Sequence, residues 1–186
     1  MKLAVAFVAL LLGVHSAQAD VLKDARNAYR HGQYENAAAI LLPMAEQGNP
    51  VAQFNVAVMY DDGIGLPQNF PLALRWYKRA AEAGLVDAQY MTGRFYGRGR
   101  GTPQNPGKAL FWLDLARAGG HPLAAKLRNQ HYDQLSNPQR DAIEAEATRW
   151  HAAHPSQFSC KNNPCIYPRW TPIPRWSPFD LEFGPD

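Results

Sequence analysis

The chain lacks several features that would assign it to a common functional class. Its longest apolar run, Leu3–Val14, is shorter than the roughly 20 residues that a membrane-spanning helix requires. A formal charge of +3 over 186 residues is too small to indicate nucleic acid or an anionic membrane as the main partner. Gly-x-Ser-x-Gly, a phosphate-binding glycine loop and His-Glu-x-x-His are all absent from the sequence. The sequence therefore predicts a protein without catalytic residues, metal or cofactor.

The first nineteen residues have the layout of a secretory signal peptide. Lys2 precedes the short apolar run, and small residues ending in Ala17-Gln18-Ala19 follow it, as a signal peptidase requires. We expect cleavage near Ala19, a mature chain that begins at Asp20 without a stable membrane span, and a periplasmic or secreted location. An uncleaved anchor is the alternative.

Cysteine is scarce, and the only two cysteines lie close together. Cys160 and Cys165 flank Lys-Asn-Asn-Pro, a turn-forming stretch that lets the two side chains approach. In an oxidising compartment they are expected to form a disulfide, which the chain-entropy model values at about 2 kcal/mol for so short a loop. A redox-active pair is the alternative, although such pairs usually have closer spacing at a helix N-terminus.

A 36-residue period dominates the middle of the chain. When residues 52–87 are aligned with residues 88–123 without a gap, 13 of the 36 positions are identical. We expect ten of these residues to maintain the repeat structure: Tyr60 and Tyr96, Gly63 and Gly99, Gly65 and Gly101, Trp76 and Trp112, and Gly84 and Gly120.

Each repeat divides into two helices. Apolar residues recur at spacings of three and four, a Gly-x-Gly-x-Pro-Gln-Asn turn separates the helices, and each second helix begins near proline and ends at glycine. A degenerate repeat is predicted over 20–51 and two capping helices over 122–154, the last beginning at a capping box at Ser136. The pattern predicts an all-α protein, an α-solenoid of stacked antiparallel helix pairs over residues 20–154.

These residues resemble the Sel1-like repeats, a subclass of the tetratricopeptide-type helical repeats. The resemblance rests on the shared spacing of alanine, tyrosine, glycine and tryptophan in both repeats. Departures are Ala57 where glycine is usual, Asn69 and Asn105 in place of an acidic residue, and Pro106-Gly107, which leaves the start of that helix open. The resemblance implies a non-catalytic adaptor or regulator that binds a protein in an envelope complex. Some cysteine-rich relatives suggest a hydrolase of cell-wall or β-lactam substrates as a weaker alternative.

Three arginines in the second repeat are candidate partner-binding residues. Arg94 and Arg98 lie one turn apart on a first helix, and Arg100 follows in the turn. By resemblance this helix lines the concave surface, where arginines suit an acidic peptide or polymer. The alternative is an intramolecular pair with Asp61 or Asp62 of the preceding repeat, a surface contact of about 0–1 kcal/mol.

The segment 155–186 is an irregular tail rich in proline and tryptophan. Residues 168–179 contain one hexapeptide in two similar copies, with Arg169 beside Trp170 and Arg175 beside Trp176. The prolines favour an extended, polyproline-type backbone. We predict that the tail folds back on the solenoid; docking of a protein partner or a membrane interface is the alternative. Binding of cell-wall glycan through the two tryptophans is a third possibility.

Overall fold

The computed structural model describes residues 21–154. The predicted signal peptide, the cysteine pair and the tail lie outside the described residues. Within residues 21–154 the chain forms eight α-helices and no strand. Helix α1 covers residues 21–30, and α2 to α8 are Tyr34–Glu46, Pro50–Asp62, Phe70–Glu82, Val86–Arg98, Pro106–Ala118, Ala124–Tyr132 and Asn137–Ala153.

The helices stack in pairs along the chain. From α2 to α7 each helix packs on its neighbours in the sequence, and α8 packs chiefly on α6. The odd-numbered helices α3 and α5 are the first helices of the two repeats, and α4 and α6 are the second helices. The predicted all-α solenoid of stacked helix pairs is confirmed.

Asparagine begins three of the helices. Asn69 and Asn105 are the N-caps of α4 and α6, and their side-chain oxygens accept hydrogen bonds from the backbone N–H three residues later, at 3.0 and 2.9 Å. Asn49 caps α3 in the same way. Asparagine and aspartate are both strong N-cap residues, so asparagine at these positions is compatible with the helix start. The sequence departure at Pro106 does not move the helix start, because α4 and α6 begin at equivalent repeat positions.

The core depends on alternating small and large side chains. Ala73, Ala80, Ala109 and Ala116 are completely buried, so the second helices approach their neighbours closely. Trp76 and Trp112, together with the leucines beside them, fill the remaining space and are also buried. A single helix pair could not cover these indoles, which explains why the repeats must stack.

Buried glutamines join each repeat to the one before it. Gln53 Nε2 donates to the Ala45 carbonyl at 3.1 Å, and Gln89 Nε2 donates to the Ala81 carbonyl at 3.4 Å. Each acceptor lies in the last turn of the preceding second helix. The same bond therefore recurs at the junctions before α3 and before α5.

The second glycine of each turn allows close contact between repeats. Gly101 has φ +70°, and a Cβ placed on it would lie 2.5 Å from the carbonyl carbon and oxygen of Phe70, at the start of α4. Gly65 approaches the Tyr34 carbonyl of α2 equally closely. Gly63 and Gly99 instead end α3 and α5 in the left-handed conformation.

The last described helix has the polar character that a terminal helix requires. The predicted capping box is confirmed, since the Ser136 backbone N–H donates to Gln139 Oε1 at 3.0 Å. In α8 only Ala147 is buried, so most of the helix surface contacts solvent. No helix among residues 21–154 is long and apolar enough to cross a membrane.

Candidate interaction surface

The first helices leave one side uncovered by the rest of the solenoid. On α5 the residues that are half-buried or exposed follow the spacing of a single helix side, and the same positions of α3 are also only partly covered, except for the buried Asn55. We call this surface the first-helix face. It consists of Val51, Phe54, Val58 and Asp62 of α3 and of Asp87, Tyr90, Met91, Arg94 and Arg98 of α5.

Two of the three candidate arginines lie on the first-helix face. Arg98 is exposed near the end of α5, and Arg94 is half-buried one turn earlier. The guanidinium of Arg94 approaches the Met91 sulfur at 3.8 Å, and both arginines have further contacts within the chain. Their positions allow contact with a partner, so their predicted binding role stays a prediction.

Arg100 has a different environment. Its Nη2 lies 3.0 Å from Asp61 Oδ1, and its guanidinium stacks 4.0 Å from the centre of the Phe70 ring. The side chains of Asp61 and Arg100 are only 8% and 18% exposed. The structure thus contains an inter-repeat ion pair of the kind that the sequence analysis gave as the alternative role, but it is largely buried rather than on the surface.

Burial controls the ionisation of Asp61. Loss of solvent raises the pKa of Asp61 to about 6; the nearby charge of Asp62 raises it too, while Arg100 and Arg94 oppose the shift. A hydrogen bond from the Tyr77 hydroxyl also stabilises the charged carboxylate. The pair therefore fixes the position of the turn after α5 at a cost in desolvation.

A row of three aromatic rings in edge-to-face contact lies beneath the face, and the sequence did not predict it. The Tyr77 ring is buried between Phe54 and Phe95, with ring centres 5.5 and 5.2 Å apart in edge-to-face geometry. Burial raises the pKa of Tyr77 well above its ordinary value. The equivalent residue of the next repeat is Leu113, so repeat comparison gives no signal for this tyrosine.

A histidine borders the face at the end of the second repeat. The His121 ring stacks on Tyr90 with centres 4.1 Å apart, and its Nε2 lies 3.5 Å from Asp87 Oδ1. Burial lowers the pKa of His121 and raises the pKa of Asp87, while the charge of each residue opposes the shift of the other. This contact holds Tyr90 in a fixed orientation on the face.

A second charged cluster supports the packing of α6, α7 and α8. The buried carboxylate of Asp114 accepts from Arg128 Nε at 2.6 Å and from Arg117 Nε at 3.3 Å, and Arg128 also pairs with Glu144. Four charged side chains thus neutralise one another across three helices. Among the residues that the structure describes, no group of histidine, cysteine, aspartate and glutamate side chains could hold a metal ion.

Comparison with protein families identifies the repeats. The family model of the Sel1 repeat matches residues 50–85 and 86–121. The chain contains two Sel1 repeats. Each matched range holds one helix pair, α3 with α4 and α5 with α6, and the two ranges differ by the 36 residues found in the sequence. Sel1 repeats generally mediate protein–protein interaction, and proteins of this family are typically non-catalytic scaffolds.

Two solved structures share the fold. The structure of c5321, a protective antigen present in uropathogenic Escherichia coli strains that displays an SLR fold, matches 71% of this chain with 24% identity and a TM-score of 0.66. A Sel1 repeat protein from Oxalobacter formigenes matches 52% of this chain with 34% identity and a TM-score of 0.51. The matches cover only 29% and 28% of those two chains. No curated protein sequence matches the chain.

Proposed function

We propose that this chain is an exported, non-catalytic Sel1-repeat protein that binds a protein partner through the first-helix face. One observation carries the proposal. Every residue of α5 that the solenoid leaves half-buried or exposed lies along one helix side, and that side combines the aromatic ring of Tyr90 with the guanidinium groups of Arg94 and Arg98. Helical repeat proteins bind partners through extended surfaces that successive repeats build together.

The face suits a segment with both apolar and acidic side chains. Phe54 and Tyr90 offer partly exposed aromatic rings, and aromatic side chains are common energetic centres of protein interfaces. Arg94 and Arg98 add guanidinium groups that can bind carboxylates with two parallel hydrogen bonds. The partner is therefore proposed to be an acidic, partly apolar peptide segment of an envelope complex, in which this chain acts as an adaptor or regulator.

Export is part of the same proposal and has its own test. The layout of residues 1–19 supports delivery to the periplasm or the medium, with cleavage near Ala19. Cell fractionation followed by N-terminal sequencing of the purified protein should give a chain that begins at Asp20. A protein that still begins at Met1 and is found in the cytoplasmic fraction would refute export. It would not bear on the proposal that the face binds a partner.

Affinity capture from envelope extract tests binding. The bait is the chain from Asp20 onward, and it is compared with the variant Tyr90→Ala/Arg94→Ser/Arg98→Ser. Arg149→Ser, which alters an exposed residue of α8, is the matched control. We expect the same captured protein with the wild-type chain and the control, and at least a tenfold loss with the face variant.

Two outcomes would overturn the proposal. Equal capture by the face variant would place binding elsewhere on the molecule. Retention of the chain on purified cell-wall sacculi, without any captured protein, would favour the glycan-binding alternative based on Trp170 and Trp176.

A further inference from the structure

We propose that the first-helix face is the docking site of the chain's own segment 168–179, which contains the doubled Pro-Arg-Trp unit. The proposal concerns the same surface as the proposed function but does not depend on the existence of a partner. It specifies the surface on which the tail folds back, which the sequence analysis left open. Docking of this kind would also oblige a partner to displace the tail.

The two ends of the described solenoid offer poor surfaces for this segment. At the carboxyl end, α8 is polar and buries only Ala147. At the other end, a shallow hollow between α1 and α2 is lined mainly by polar side chains, including Asp24, Asn27, His31 and Asn36. Segment 168–179 needs apolar contacts for two tryptophans, an isoleucine and a phenylalanine, and the hollow offers only Ala28, Ala39 and Ile40 for them.

The first-helix face has the composition that polyproline-type ligands require. Domains that bind such ligands present aromatic rings in a groove, together with polar groups that fix the ligand. Phe54 and Tyr90 supply partly exposed rings, and Val58 and Met91 extend the apolar strip. The pliable thioether of Met91 is well suited to packing against an indole.

Opposite charges are present on the two sides. Asp62 ends α3 and Asp87 lies in the first turn of α5, so the two aspartates of the face stand at opposite helix ends. Arg169 and Arg175 are six residues apart in the segment, so the two cations are also separated.

Opposite charges continue beyond the doublet. Asp180, Glu182 and Asp186 follow it in the sequence, and the face carries Arg94 and Arg98 on α5. Both partners of the proposed contact therefore combine acidic and basic groups. Specific register follows from such a mixed pattern more readily than from a single sign of charge.

The tail is long enough to reach the face. Thirteen residues lie between His154, the last described residue, and Pro168, and the fourteen residue-to-residue steps span up to about 46 Å when extended. A tether of this length gives an effective concentration on the order of 1 mM. A weak intrinsic Kd of about 0.1 mM would then keep the face roughly 90% occupied by the tail.

Photo-crosslinking of the chain from Asp20 to Asp186 tests the proposal directly. The photoreactive residue p-benzoylphenylalanine replaces Trp176, and the irradiated protein is analysed by gel electrophoresis and peptide mass spectrometry. Benzophenone reacts preferentially with C–H bonds next to a thioether sulfur, so we expect a product of monomer mass that joins the tail to Met91 or its neighbours. The same probe in place of Phe158, outside the doublet, should not reach Met91.

Further variants keep the result interpretable. Met91→Leu should move the crosslink to another residue of α3 or α5 while the helix content, measured by far-UV circular dichroism, stays constant. The double variant Arg169→Ser/Arg175→Ser should lower the crosslink yield about twofold, since a tenfold weaker Kd reduces occupancy from about 90% to about 50%.

Three results would overturn the proposal: no crosslink to α3 or α5, a crosslink confined to α8 or the α1–α2 hollow, or products only of dimer mass. The last would assign the face to the tail of a second copy. Because this readout contains no partner, its failure is distinguishable from failure of the proposed function, which depends on capture alone.

Discussion

Replacement of Gly101 by alanine should destabilise the solenoid more than replacement of a glycine that is required only for its positive φ. Gly101 combines a positive φ of +70° with a backbone contact, because its added Cβ would lie 2.5 Å from the Phe70 carbonyl and 2.7 Å from the Pro71 nitrogen. Gly120 provides the matched control. Its φ is +88°, and nothing lies within 4 Å of an added Cβ.

The structure gives the expected magnitudes. Both alanine variants force an L-residue into the left-handed region, which costs about 1–2 kcal/mol. Gly101→Ala must also separate the turn after α5 from the start of α4, and overpacking of this kind costs about 1–3 kcal/mol more. We therefore expect a loss of about 3 kcal/mol for Gly101→Ala and about 1–2 kcal/mol for Gly120→Ala.

Urea denaturation followed by far-UV circular dichroism measures the difference between the two variants. Thermal unfolding should agree, since about 3 kcal/mol lowers the Tm of a chain of this size by roughly 6–12 °C. Equal losses for the two variants would refute the inference that Gly101 sets the spacing between repeats. The loss would then be due to backbone conformation alone.

Three further changes test other contacts. Asn105→Ala should cost about 1 kcal/mol in urea denaturation because it removes an N-cap, whereas Asn105→Asp should keep most of the stability. Burial raises the pKa of Asp61 to about 6, so the folded state binds an extra proton at this residue. Asp61 should therefore contribute a loss of roughly 2–3 kcal/mol in stability as pH rises from 4 to 7, and Asp61→Asn should remove that contribution when the two proteins are compared by urea denaturation at both pH values. Arg128→Ala should cost about 3 kcal/mol because it leaves the buried Asp114 without its closest partner, and Arg117→Ala, on an exposed side chain, should cost under about 1 kcal/mol in the same assay.

Local rules made the fold predictable from the sequence. Helix boundaries depend on prolines, glycines and capping side chains within a few residues, and these recur in both repeats. The need to bury Trp76 and Trp112 then requires stacking of the helix pairs. Even the asparagines that departed from the family pattern could have been assigned, because Asn69 and Asn105 precede helices and cap them in the usual way.

The chemistry of the candidate surface was less predictable because it depends on contacts between repeats. Asp61 lies in the last turn of a helix, where the sequence suggests solvent exposure, yet the turn carrying Arg100 covers it. His121 and Asp87 are 34 residues apart and meet only after α5 and α6 have packed. The repeat alignment also hides such pairs, since none of these four residues has an identical counterpart in the other repeat.

The buried bonds from Gln53 to Ala45 and from Gln89 to Ala81 imply that the solenoid can be lengthened in whole units. The two donors are 36 residues apart, and so are the two acceptors. A further copy of residues 50–85 could therefore be inserted between Leu85 and Val86. The glutamine of the copy would donate to the Ala81 carbonyl, and the alanine carbonyl of the copy would accept from Gln89. Such an insertion would leave both polar ends unchanged. We expect the longer chain to fold and to gain the stability of one repeat and one junction, since stability in such arrays is a sum of unit and neighbour contributions.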